Sequence, residues 1–91
     1  MNIILRRITN KMFDADKDYL YLQEGNYKVF RNKFCIKHYY FNHLICYVDL
    51  EKEHFSLFDC GYKNYKLTTA QLNYLEEFYK NKNYKLVYRG S

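Results

Sequence analysis

The hydrophobic period of this chain changes once, and that change limits the folds open to it. Over residues 19–60, apolar and polar side chains alternate with a period of two, punctuated at short intervals by glycine, asparagine and lysine. After Gly61 the spacing lengthens to that of a helix. Alternation marks half-buried strands, and a period near 3.6 marks an amphipathic helix. Short turn-forming gaps make successive strands antiparallel neighbours, because a parallel return needs a long crossover. The chain contains no proline to interrupt a strand or a helix. The expected fold is therefore α+β: an antiparallel β-meander of four to six strands, with one C-terminal amphipathic helix packed on one face. At 91 residues it forms one domain, 1–91.

The strands can be placed. Tyr19, Tyr21 and Gln23 point one way, and Leu20 and Leu22 the other. Gly25-Asn26 forms a turn, since both residue types tolerate positive φ. Residues 27–31 return, Asn32-Lys33 is a second turn, and residues 34–41 lead out again. Asn42 marks a break before strand 43–49, which has Leu44, Cys46 and Val48 on one face and Ile45 and Tyr47 on the other. A four-residue hairpin over 50–53 leads to strand 54–60. Thr68 stands three residues before Gln71 in a capping-box spacing, so a helix is expected over 69–81. Leu72, Leu75, Phe78 and Tyr79 form its apolar stripe, and Glu76 with Lys80 forms an i,i+4 ion pair on the far side. Residues 84–88 alternate again as a last strand. Upstream, Ile3, Ile4, Leu5 and Ile8 read as a strand, followed by an acidic loop over 10–18. Arg89-Gly90-Ser91 reads as a cloning remnant and is given no functional weight.

Composition points to a binding surface. Twelve tyrosines and seven phenylalanines accompany a formal net charge of +5. Tyrosine offers a flat apolar ring and a hydroxyl, which suits half-buried sheet faces and recognition surfaces alike. A basic balance admits nucleic acid or an acidic protein as partner.

Other chemistries are weakly supported. The glycines lie far apart, so no phosphate-cradling loop is present. Cys46 with His43 or His54 lacks an orienting acid and an oxyanion donor, and no enzyme is expected. Cys35 and His38, like His43 and Cys46, have zinc-ligand spacing. Residues three apart on a strand face opposite sides, however, so no metal is expected there. Asp14, Asp16 and Asp18 resemble the start of a calcium loop but lack its glycine and terminal glutamate. No cofactor is expected. Three cysteines, the absence of a secretory leader and the lack of a long apolar run fit a cytoplasmic protein with free thiols and no membrane span.

Certain residues carry a resemblance. The run Tyr39-Tyr40-Phe41-Asn42-His43-Leu44-Ile45-Cys46, then Gly61-Tyr62, Tyr65, Thr68-Thr69, Leu72 and Phe78, resembles a family of small uncharacterised phage proteins from low-GC Gram-positive bacteria. That family typically reads Ser-Tyr-x-Thr-x-Ile-Ala on a strand, then Tyr-Ser-x-Thr-Thr and a short helix ending in Phe. The match covers about residues 39–79. Asn42 stands where Thr is usual, and no His follows the Thr-Thr pair. The resemblance implies a phage setting and no particular activity.

Three readings follow. In the first, the chain is a phage-encoded inhibitor that binds a host defence protein without catalysis, as an anti-CRISPR acting on a Cas effector in the host cytoplasm. In the second, it is a basic, tyrosine-rich protein that binds DNA or RNA. In the third, it assembles with a second copy of itself through an edge strand. Candidate contact residues are Tyr27, Lys28, Arg31, Lys33, Lys37, Tyr39, Tyr62, Lys63, Tyr65 and Lys66.

Overall fold

The computed structural model describes residues 3–14, 19–59 and 65–90. Among them are two helices and six strands: α1 (Ile3–Asp14), β1 (Leu20–Glu24), β2 (Tyr27–Arg31), β3 (Cys35–Tyr40), β4 (His43–Asp49), β5 (His54–Phe58), α2 (Tyr65–Asn81) and β6 (Lys85–Gly90). They form one sheet in the order β1-β2-β3-β4-β5-β6. The α+β class and the meander order agree with the sequence reading. The last pairing differs, since β6 runs parallel to β5. The intervening α2 supplies the crossover that a parallel return requires.

The turns follow local chemistry. Gly25 takes φ +59° between β1 and β2. Phe41 and Asn42 both have positive φ, at 49° and 65°, the pattern of a two-residue hairpin whose twist matches its strands. Asn32 closes the β2–β3 connection by accepting hydrogen bonds at Oδ1 from the amides of Phe34 and Cys35, at 2.8 and 2.9 Å. Four residues, 50–53, link β4 to β5.

Both helices lie over the same face. Val29, Ile36, His38, Cys46, Val48, Phe55 and Leu57 are buried there. Leu72, Leu75 and Tyr79 cover them from α2, and Ile8 and Met12 from α1. Phe13 joins the two helices, with its ring centroid 5.5 Å from Phe78 and 5.7 Å from Tyr79.

Four local expectations are corrected. The N-terminal segment is helical, because Ile8 and Met12 recur at four-residue spacing, as do Thr9 and Phe13, and so share one face. The helix absorbs residues 10–14 of the expected loop; Asp16 and Asp18 lie outside the described residues. Thr68 lies within α2 rather than at its cap, since the helix begins at Tyr65. In β4, pairing shifts from His38 with Cys46 to Tyr39 with Leu44, which leaves Ile45 as a bulge residue. Ile45 and Cys46 are then both buried, and Leu44 shares the face of Tyr39. Finally, Arg89 and Gly90 are integral to the fold. Arg89 donates to Glu76 at 2.6 Å and to Asn73 at 2.7 Å, and the Gly90 carbonyl accepts from the Asp59 amide at 2.7 Å.

Candidate nucleic-acid interface

The face of the sheet away from the helices carries the other half of the alternation. Strand register aligns its side chains in rows, with Tyr21 opposite Phe30, Phe30 opposite Lys37, and Lys37 opposite Tyr47. In the next row Gln23 faces Lys28, Lys28 faces Tyr39, and Tyr39 faces Leu44. Aromatic rings and lysines are thus interleaved across the four strands β1 to β4, on the face opposite the one the helices cover.

Phe30 is the centre of the aromatic group. Its centroid lies 4.5 Å from Tyr21, 5.8 Å from Tyr39 and 6.5 Å from Tyr19. Two grooves flank it. The wider, about 420 Å³, is lined by Tyr21, Lys28, Phe30, Tyr39 and Asn42. The narrower, about 280 Å³, is lined by Tyr19, Phe30, Asn32, Cys35, Lys37 and Tyr39. Lys28 Nζ donates to Asn42 Oδ1 at 2.8 Å, which holds the ammonium at the rim of the wider groove. Tyr21 donates its hydroxyl to Gln23 at 2.7 Å. Desolvation first, then the Cys35 thiol and the Asp49 carboxylate, raise the Tyr47 hydroxyl above its ordinary value. Its phenol is therefore a neutral hydrogen-bonding group at physiological pH.

The expected contact residues divide. Lys28, Lys37 and Tyr39 lie together on this face. Lys33 extends the basic charge onto the β2–β3 loop, with its ammonium 5.2 Å from the Phe34 centroid. Tyr27 and Arg31 do not belong with them. Tyr27 is 8% exposed and packs its ring 5.0 Å from Tyr40 on the helix side. Arg31 reaches under α1 and donates to the Met12 carbonyl, satisfying a helix-end acceptor and placing positive charge at the negative end of the helix dipole. Val29, between them and fully buried, identifies their face as the core side. Tyr62 and Lys63 lie outside the described residues, and Tyr65 and Lys66 occupy the first turn of α2.

Tyr19, Tyr21, Phe30 and Asn42 were missed. The signal for Tyr21 and Phe30 was their alternation out of phase with Leu20, Leu22 and Val29. Asn42 gave no such signal, because its position depends on the hairpin geometry.

The cysteine and histidine pairings do not assemble. Cys35 lines the narrow groove, whereas His38 lies under α2 on the opposite face. Cys46 is fully buried and its thiol is pushed up by desolvation, so it is protonated. His54 pairs with Asp49 across the hairpin and points away from the face of Phe55 and Leu57. Among the described residues no cluster of metal-ligating side chains occurs, and no helix is long and apolar enough to cross a membrane.

No family model, no curated protein and no solved structure matches this chain.

Proposed function

We propose that this chain is a phage-encoded, non-catalytic binding protein that takes single-stranded nucleic acid on the open face of its sheet. The observation that carries the reading is the group formed by Tyr21, Phe30 and Tyr39, flanked by Lys28 and Lys37 on a surface left bare by both helices. Rings on a flat sheet can stack with bases that are already unstacked, whereas a duplex hides its base faces. Each base–aromatic stack contributes roughly 1–3 kcal/mol. Lysines between the rings meet the phosphates that link successive bases, and the net charge of +5 favours encounter.

A second reading keeps the face and changes the ligand. Exposed tyrosines are also anchors of protein interfaces, and Tyr19, Tyr21 and Tyr47 are all exposed here. In the phage setting this would be an inhibitor in the host cytoplasm, seated on a defence complex such as a Cas effector. It would act on an acidic protein surface, or on the guide or target strand that the complex holds.

Fluorescence anisotropy with labelled single-stranded and duplex oligonucleotides at several salt concentrations tests the first reading. Single strands should bind more tightly than duplex, and affinity should fall as salt rises. Lys28→Ala should flatten the log–log salt slope by about 0.7, the contribution of one phosphate contact. Absence of single-strand binding at low salt would reject it. Recovery of a host protein on tagged chain from nuclease-treated lysate would then favour the second.

A further inference from the structure

We infer that the wider groove is a guanine subsite; this rests on the single-strand reading above and assigns a base to one position of that site. The argument concerns unspent hydrogen-bond capacity. Lys28 Nζ uses one N–H on Asn42 Oδ1, and that bond occupies an acceptor while leaving donors on both residues. The amide nitrogen of Asn42 and the ammonium of Lys28 therefore stand side by side at the rim as adjacent donors. Tyr21, Phe30 and Tyr39 supply the apolar ring surface of the same groove.

A base stacked on those rings presents an edge to the Lys28–Asn42 pair. Guanine carries two neighbouring acceptors, O6 and N7, on one edge. Adenine sets an N6 donor beside N7, cytosine offers its N4 donor, and thymine offers a lone O4 acceptor there. Two adjacent donors thus match guanine, and adenine would bring a donor against a donor. An unpaired cytosine can also turn two adjacent acceptors, N3 and O2, to the pair, but its single ring covers less of the aromatic surface of Tyr21, Phe30 and Tyr39 than a purine does.

The backbone that carries the donor pair is fixed before any ligand arrives. Asn42 sits in a hairpin turn with φ 65°, and the Phe41 amide ties that turn to the Asn26 carbonyl at 3.0 Å. Lys28 is in the middle of β2, paired with Gln23 on one side and Tyr39 on the other.

The test uses seven-residue thymine oligonucleotides with one central variable base, measured by anisotropy with the intact protein. A central guanine should bind about tenfold more tightly than adenine or cytosine, within the discrimination of roughly 1–3 kcal/mol that a good two-point contact provides. Hypoxanthine, which keeps O6 and N7, should retain the advantage, and 7-deazaguanine should lose it. Asn42→Asp replaces amide donors with acceptors at a residue type that also tolerates positive φ, so it should erase the guanine preference. If the four bases bind alike, or 7-deazaguanine binds as guanine does, the guanine subsite is wrong while single-strand binding stands. If no oligonucleotide binds at all, the underlying reading falls with it.

Discussion

His38 shows how one buried side chain sets a pH limit on this fold. Its ring is fully buried between the sheet and α2, and Nε2 shares a 2.6 Å hydrogen bond with the Tyr79 hydroxyl. Nδ1 has no partner. Burial therefore penalises the imidazolium and lowers the histidine to about 3. The unfolded chain has the ordinary value near 6.5, so it takes up the proton first as pH falls. The stabilisation is complete above about pH 6.5 and declines towards pH 3, by about 1.4 kcal/mol per unit once well below 6.5. Urea unfolding at pH 7.5 and 5.5 should show a loss of about 1.4 kcal/mol in the native sequence. It should be largely absent in His38→Gln, where the side chain can still meet Tyr79 but does not titrate. Equal losses in both proteins would show that other groups control the pH response. Strand alternation puts Cys35 and His38 on opposite faces of the sheet, but it does not say which of the two faces is the core. It could not reveal Tyr79, a partner 41 residues away that only the packing of α2 brings near.

At the scale of elements, α2 was legible where its signals are local. Its stripe of Leu72, Leu75 and Tyr79 is buried, and the Glu76–Lys80 pair forms at 2.7 Å. Its C-terminal stop is equally local. Asn83 takes φ 68°, its amide donates to the Lys80 carbonyl, and the Tyr84 amide donates to the Tyr79 carbonyl. This is the Schellman arrangement, completed by the Tyr79–Tyr84 ring contact at 5.9 Å. The N-terminal helix was not legible, because β-branched residues at its start suggested a strand, and its stripe has meaning only beneath Phe78 and Tyr79. Tag-like composition hides the role of the end of β6, where Arg89 binds that strand to α2. The Lys80 ammonium first, then the Arg89 guanidinium, hold the Glu76 carboxyl below its usual range. Arg89→Ala should cost about 0.5–1 kcal/mol, the scale of a partly exposed ion pair. Hydrogen exchange should quicken along β6 and at Asp59, whose amide depends on the Gly90 carbonyl. Unchanged protection would mean that strand pairing alone fixes β6.

At the scale of the whole molecule, the sheet separates stability from recognition. Its covered face holds Val29, Ile36, Val48, Phe55 and Leu57 at 0 or 1% exposure. Its open face carries the lysine and aromatic rows. Alternation makes it clear that two such faces exist, and a period of two puts Tyr27 on one face with Arg31 and Lys37 on one face with Tyr39. It did not say which pair faces outward, because aromatic and long basic side chains suit either side of a sheet. The deciding features are the aliphatic Val29 between Tyr27 and Arg31, and the end of α1 that Arg31 satisfies. This division makes charge reversal on the open face a selective probe. Lys28→Glu with Lys37→Glu replaces solvent-facing cations in strands whose opposite side chains form the core. The double variant should unfold within about 0.5 kcal/mol per substitution of the native protein. Its affinity for single strands should nevertheless fall more than tenfold at low salt, since two phosphate contacts become repulsions. A parallel loss of stability and binding would place the lysines in the framework of the fold. Retained binding would move the interface off this face.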